Sequence, residues 1–371
     1  MLIIFGLLLA VFPGASPVMA GNGNPPMTIR YSRGFDFQRR GNCTLVNVKQ
    51  PWPGAEKVFR YLLKPHGEPT PEDCADCQVV EVPVHRVVAL SPTYLGFLER
   101  LGVIDRLVGF SNPALVNNRT VRAAAAAGRL VAVGQGGALR VEKVLALEPE
   151  LIFTYATGGF RDLHPKLLEA GLKVAVCGEY VESHPLGRAE WIKFIALFFG
   201  CEDRAEKIFA EIEKSYLDLA GLTYEVTHRP TVITNIPRHG HWGISGGNSF
   251  VSRFIADAGG DYVWKDIKRN GAVPMAVELA FARGCEADYW FNTGIWKSLD
   301  EARRADPRFH DFKALEEGRL YNNNRRVNAA GGNDFWESGI IRPDLILADM
   351  IRILHPELLP GHQLVYYRKL Q

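Results

Sequence analysis

The 371-residue chain is expected to fold as an α/β protein of two lobes preceded by a β-rich extension, and three observations carry that expectation. From residue 85 onward, short apolar runs alternate with amphipathic stretches, the pattern of strands that return through helices into mostly parallel sheets. One long amphipathic segment divides that alternation into two halves. Residues 24–84 differ in texture, with short runs of β-branched and aromatic residues separated by glycine and proline. The length also suits two domains.

In the extension, 28–31, 43–48 and 57–63 read as strands, and the proline- and acid-rich stretch 65–76 reads as a linker. The first lobe then offers strands at 87–90, 107–110, 151–154 and 174–177, with helices at 93–101, 141–147 and 164–170. Over 202–222, Ala205, Ile208, Phe209, Ile212, Tyr216 and Leu219 recur at three- and four-residue steps with acids and lysine elsewhere around the helix. Such a helix is roughly 30 Å long, the width of a small domain. Beyond it the alternation restarts: strand 231–236, helices 249–258 and 277–283, strands 289–292 and 320–322, and a final helix at 343–353. The implied division is a leader over 1–20, the extension over 21–84, a first lobe over 85–200, a connecting helix over 201–228 and a second lobe over 229–371.

Charge excludes one class of function. Lys plus Arg is 43 and Asp plus Glu is 41, a net charge of +2. The uniform basic field of a nucleic-acid-binding surface is therefore missing. The first twenty residues carry no charge, contain the apolar run 2–12 and end Val18-Met19-Ala20, which reads as a secretory leader. Pro13, Gly14 and Pro17 interrupt the run before it reaches membrane-spanning length. No cysteine follows that cleavage point, so a soluble exported protein without a lipid anchor is expected. Six cysteines are scattered, with Cys74-Ala-Asp-Cys77 the one close pair. It reads as a staple or a pair of unrelated thiols ahead of a redox or zinc site, since no second such pair accompanies it.

Gly243-Ile-Ser245-Gly-Gly247 matches the nucleophile-elbow pattern, with His310, His355 and His362 after it in hydrolase order. An elbow needs serine on a sharp strand-to-helix turn, whereas Pro237 to Trp242 separates Ser245 from the expected strand. Gly134-Gln-Gly136-Gly137 is half a dinucleotide fingerprint and lacks its third glycine and ribose-binding acid. His239-Gly-His241 lacks a nearby third metal ligand, so no metal site is expected. The cluster from Asn322 through Arg325 and Arg326 to Asn333 and Trp336 is more informative. It places amides, guanidiniums and aromatics in a glycine-bearing loop directly after a strand, where parallel sheets bind ligands.

Three further segments carry a family resemblance. His85-Arg-Val-Val-Ala-Leu-Ser-Pro-Thr-Tyr94 with Leu101-Gly-Val-Ile-Asp-Arg-Leu-Val-Gly109 is one. Val133-Gly-Gln-Gly-Gly137 leading into Val141 to Ile152 is the second, and Ala256-Asp-Ala-Gly-Gly260 before Val277-Glu-Leu-Ala280 is the third. Over about residues 85–355 the chain resembles the helical-backbone class of periplasmic substrate-binding proteins, which deliver ferric siderophores, haem or cobalamin to ABC importers. The resemblance implies two Rossmann-like lobes joined by one long helix, with a metal-chelate ligand between them and no catalysis or resident cofactor. It implies a periplasmic monomer whose partners are an ABC permease and its ATPase, with membrane contact only through that permease. Glu142 and Glu278 fall at the positions that dock on the permease, each in the first turn of an expected helix, where the helix dipole favours a carboxylate in any case. By position, Tyr94, Gln135, Tyr155, Arg238, Trp242, Trp296, Arg325 and Trp336 would line a wet, aromatic and cationic cleft. The extension lies outside the resemblance. A hydrolase using Ser245 and a binding lobe reused as a sensor or surface protein are the other functions considered.

Overall fold

The computed structural model describes residues 27–371 except 72, 73 and 75, so the leader read over 1–20 lies outside the described residues. No helix of the described residues is long and apolar enough to cross a membrane. The extension forms a four-stranded sheet of β1 (Phe35–Arg40), β2 (Cys43–Val48), β3 (Phe59–Pro65) and β4 (Gln78–Val82) in that order. Its strands pair antiparallel except β3 with β4, which run parallel. The strand expected at 28–31 is absent. Backbone N–H groups of Arg30, Tyr31 and Ser32 instead donate to the Glu190 carboxylate at 2.9, 2.7 and 2.8 Å, so a side chain replaces the partner strand. A second buried carboxylate, Glu182, accepts from the N–H of Gly34 and the indole of Trp191 at 2.9 and 3.0 Å. All six cysteines are free thiols, with Cys43 and Cys74 buried together under the sheet, so of the two readings of Cys74 and Cys77 the structure has unrelated thiols and not a staple.

The first lobe is built on β5 (Val87–Ala89), β6 (Leu107–Phe110), β7 (Val131–Ala132), β8 (Leu151–Tyr155) and β9 (Val174–Cys177), parallel throughout in the order β7-β6-β5-β8-β9. Helices α1 (Thr93–Arg100), α2 (Arg119–Ala126), α3 (Val141–Leu145) and α4 (His164–Glu169) return the chain between strands. The extension covers the sheet edge at β9. Gln78 bonds both the N–H and the C=O of Val174 through its side-chain amide at 3.0 Å, and the Tyr61 hydroxyl accepts from the N–H of Val176 at 2.8 Å. Backbone groups that would face solvent at an edge are thereby paired.

Two helices follow in succession. α5 (Pro185–Phe199) has all fifteen residues buried, which explains why periodicity missed it: a helix packed on every side has no polar face to alternate with. Two of its charged residues are paired inside, Lys193 bonding Glu190 at 3.1 Å and, on the helix that follows, Glu206 at 2.8 Å. α6 (Glu202–Gly221) coincides with the expected connecting helix and buries Ala205, Phe209, Ile212 and Tyr216 against α5 and the C-terminal helix. His184 caps α5, its Nδ1 accepting from the N–H of Leu186 at 3.0 Å.

Burial, reinforced by the Arg253 guanidinium, pushes the His184 pKa down to about 4 from an ordinary 6.5. The unfolded chain therefore takes up this proton first as pH falls. Stability contributed by the neutral ring is present above pH 6.5 and is lost as pH drops through about 4, up to about 3 kcal/mol. Denaturant titrations at pH 7 and pH 4 should show this loss, and His184→Asn, which keeps a capping acceptor, should flatten it. An unchanged pH dependence in the variant would reject the assignment.

The second lobe contains β10 (Thr231–Thr234), β11 (Pro237–Arg238), β12 (His241–Ser245), β13 (Asp261–Tyr262), β14 (Ala272–Ala276), β15 (Tyr289–Phe291), β16 (Leu320–Asn322) and β17 (Arg368–Lys369). Helices α7 (Phe250–Asp257), α8 (Val277–Gly284), α9 (Leu299–Ala305), α10 (Lys313–Glu316) and α11 (Pro343–Leu354) accompany them. The main sheet runs β13-β10-β15-β16-β17, parallel but for the last strand, and β11-β12-β14 form a small antiparallel sheet that was not expected. One continuous buried cluster extends from Phe35 in the extension through α5 to Trp290 and Leu347 in the second lobe. The lobes thus share a core through α5 as well as being connected by α6.

Candidate functional site

Cavities open at the carboxyl ends of both main sheets, where parallel strands leave their connecting loops free. On the first lobe a cavity of about 290 Å³ is bounded by Ser91 after β5, Ser111 and Asn112 after β6, Gln135 after β7 and Tyr155 at the end of β8. On the second, two adjoining cavities of about 430 Å³ each share Asn235 after β10, Asn292 after β15 and Arg238. One of them adds Asn323, Asn324, Asn333 and Trp336 from the loop after β16. An apolar recess under Trp336 is lined by Phe250, Phe254, Phe291, Phe335 and Met350.

Contacts between the lobes bound these cavities. The loop after β16 crosses to the loop after β6: the Asn328 amide donates to the carbonyls of Ala114 and Val116 at 3.1 and 3.0 Å, and the Asn117 amide donates to the Gly332 carbonyl at 3.1 Å. Glu337, buried, accepts from the N–H groups of Asn117 and Asn118 at 2.7 Å each. Burial raises the Glu337 pKa, and those two amides pull it back only in part. Gly332 lies so close to the Leu115 carbonyl that a Cβ would sit 1.8 Å from its oxygen. Elsewhere, the Asn270 amide donates to the Val181 carbonyl.

Beneath the cleft, Arg188 of α5 lies over the Phe250 ring at 4.2 Å, and Glu179 accepts from Thr93 Oγ1 at 3.1 Å. Burial raises the Glu179 carboxyl and lowers the Arg188 guanidinium to about 10, while each charge pulls its neighbour the other way. Ser91 Oγ and Thr93 Oγ1 lie 2.9 Å apart, so a hydroxyl pair runs from the first-lobe cavity to that buried acid.

Of the residues singled out from sequence, Gln135 and Tyr155 line the first-lobe wall, and Arg238 and Trp336 line the second-lobe wall. Tyr155 and Trp336 are 42% and 41% exposed, so both rings are open to a ligand. Three others are corrected. Tyr94 is fully buried, its hydroxyl near Cys177 and Glu179 and without a hydrogen-bond partner. Trp242 is fully buried, stacks on Trp290 at 5.3 Å and donates to the Thr234 carbonyl. Trp296 packs edge-on against Trp290 and Phe309. Arg325 is exposed but lines none of these cavities.

The walls are therefore richer in amides than in indole and guanidinium. Asn323 and Asn324 belong to the loop cluster singled out from sequence, whereas Asn235 and Asn292 were missed, although each lies just beyond the end of an apolar strand. Asn235 and Asn292 hold φ of 65° and 56°, a left-handed turn that asparagine tolerates and that keeps its amide at the sheet edge. Asn235 donates to the Gly243 carbonyl, and Asn292 accepts from the Tyr367 hydroxyl. No carboxylate or lysine lines these cavities, and no group of three metal-ligating side chains occurs among the described residues.

Ser245 ends β12, and its Oγ meets the Asn235 amide at 3.4 Å rather than an imidazole. His355 is engaged with the Gly259 carbonyl and His362 with Asp349, so neither serves as its base. The hydrolase reading of the elbow pattern finds no support in these contacts. Glu142 and Glu278 lie as expected in the first turns of α3 and α8, both exposed; Arg308 is 3.6 Å from Glu278.

The sequence model of a family described as "Periplasmic binding protein" matches residues 87–325. An uncharacterized lipoprotein of Methanocaldococcus jannaschii is 26% identical over 346 residues, covering 87% of this chain and 81% of the relative. Since only the last few dozen residues follow the family match, an alignment of that extent reaches back into the extension. A periplasmic binding protein from Veillonella parvula superposes with a TM-score of 0.57 at 12% identity, covering 87% of this chain and 98% of the other. A periplasmic heme binding protein from Pseudomonas aeruginosa gives 0.56 at 19% identity, covering 78% and 98%. At these identities the likeness to the solved structures is one of fold.

Proposed function

This chain belongs to the periplasmic binding protein family, and from that premise we propose that it is the substrate-binding component of an ABC importer, capturing a metal chelate between its lobes and passing it to the permease. The observation that carries this reading is the pair of cavities at the carboxyl ends of the two sheets, bridged at their rim by cross-lobe hydrogen bonds. Amides from the second lobe supply donors and acceptors to an oxygen-rich ligand, Arg238 supplies one cation, and Tyr155 and Trp336 supply aromatic faces. A wall without carboxylates suits a neutral or anionic chelate better than a bare cation.

Titration of the purified protein with a ferric hydroxamate, haemin and cyanocobalamin, followed by visible absorption, tests the proposal. Saturable binding of at least one is expected, with Kd raised about tenfold or more when Arg238→Ala and Trp336→Ala are combined. No binding of any of the three would reject the metal-chelate reading.

Permease docking makes a separate expectation. Charge reversal at Glu142 and Glu278, both on the surface, should abolish uptake while leaving ligand affinity unchanged, because their role is to pair with cations of the partner. Lost ligand affinity in the double variant would count against that role. Export is part of this proposal, and the intact mass of the mature protein tests both leader cleavage and lipidation; the Methanocaldococcus relative is itself named a lipoprotein.

A further inference from the structure

A cavity of about 520 Å³ opens where the extension meets both lobes. It is lined by Arg30, Tyr31 and Arg33 of the extension, Ser183 and His184 ahead of α5, and residues at the start of α7 that include Asn248, Ser252 and Arg253. No acidic side chain lines it. Charges around it are unevenly neutralised: Glu206 and Glu213 occupy Arg30 at 3.3 and 2.8 Å, and Asp257 holds Arg253 through Nε at 2.8 Å, leaving that guanidinium's terminal nitrogens. The Arg33 guanidinium is exposed and enters no ion pair among the described residues; its backbone N–H alone goes to Glu182.

His184 completes the donor set. Its Nδ1 accepts from Leu186, so in the neutral ring the proton sits on Nε2. Three serine hydroxyls and an asparagine amide supply further donors. A concave site with one unneutralised guanidinium, a second with free N–H groups and a ring of neutral donors matches the chemistry of an oxyanion, which takes charge-assisted hydrogen bonds in a fork. Its volume is that of small-molecule sites rather than of a lone ion.

We propose that this cavity is a second binding site, distinct from the cleft, which takes a small molecule bearing a carboxylate or phosphate group. Since its walls come from the extension and from both lobes, an occupant ties the three together. Ser249 lines both this cavity and the cleft, giving the two sites a common wall.

Isothermal titration of the full chain with inorganic phosphate and with citrate, at matched ionic strength, tests the site. Saturable binding of either is expected; phosphate alone points to a phosphorylated ligand, citrate alone to an oligocarboxylate. Arg33→Glu should weaken binding by at least about tenfold, since it replaces the one free cation by an anion. Arg33→Gln, whose melting curve should match that of the parent, should lower affinity to a lesser degree. Binding of neither anion overturns the proposal, as does affinity kept in Arg33→Glu but lost in Arg238→Ala, which would assign the anion to the main cleft.

Discussion

Glu190→Ala should lower unfolding stability by about 4 kcal/mol, measured from the shift in urea midpoint at constant slope. Glu190 and Lys193 are 0% exposed, and the carboxylate holds three backbone amides of the extension besides its partner ammonium. Removing it leaves a buried cation with Glu206 and the Thr28 carbonyl to answer it and leaves the amides of Arg30, Tyr31 and Ser32 without acceptors. The variant Glu190→Gln, which preserves shape and one acceptor oxygen, should lose less. A shift below about 1 kcal/mol for the alanine variant would mean that the extension is held by its sheet alone. By the same reasoning a chain lacking residues 27–84 exposes Glu182 and Glu190 to an empty groove and should fail to fold.

Replacing Glu337 with alanine is expected to cost about 3 kcal/mol and to weaken ligand binding together with stability. Two N–H groups of the opposite lobe lose their acceptor in an enclosed position, and the loop that carries Asn333 and Trp336 into the cleft loses its anchor. Gly332→Ala should weaken binding independently, because its Cβ would drive the loop away from the Leu115 carbonyl. Calorimetric titration with the chelate found to bind, alongside thermal melts, checks both. Stability lost with affinity unchanged would show that this loop does not shape the cleft. The raised Glu337 pKa gives a further sign: the folded state holds that proton more tightly than the unfolded chain. This contribution is greatest below the ordinary carboxylate range and is lost as pH rises through the folded value, whereas Glu337→Gln should lack it.

What was legible in the sequence followed from periodicity. The 202–221 helix shows an apolar stripe against charged neighbours, and the parallel strands of both lobes are short apolar runs bounded by turns. α5 was hidden by its own burial, since Arg188, Glu190 and Lys193 sit inside with partners instead of marking a solvent face. The site was legible as a place more than as a set of residues. Loops at the carboxyl ends of strands were singled out and cavities open there, but their large aromatics were expected to face outward. Trp242 and Ile244 alternate along β12 and turn to the core together, and Tyr94 shares a buried helical face with Leu95 and Leu98. The asparagines after β16 were legible as a cluster, whereas Asn235 and Asn292 carry no signal beyond their position at strand ends.

Gln78 and Tyr61, which occupy the free side of β9, also bear on how the protein behaves among its own copies. An open parallel edge is a template on which another chain's strand can add, and repeated addition leads to fibrils. Here two side chains take the place of the next strand while offering no continuous backbone ladder of their own at that position. The chain is in this way denied one route to self-association, and the extension becomes part of what keeps that edge closed.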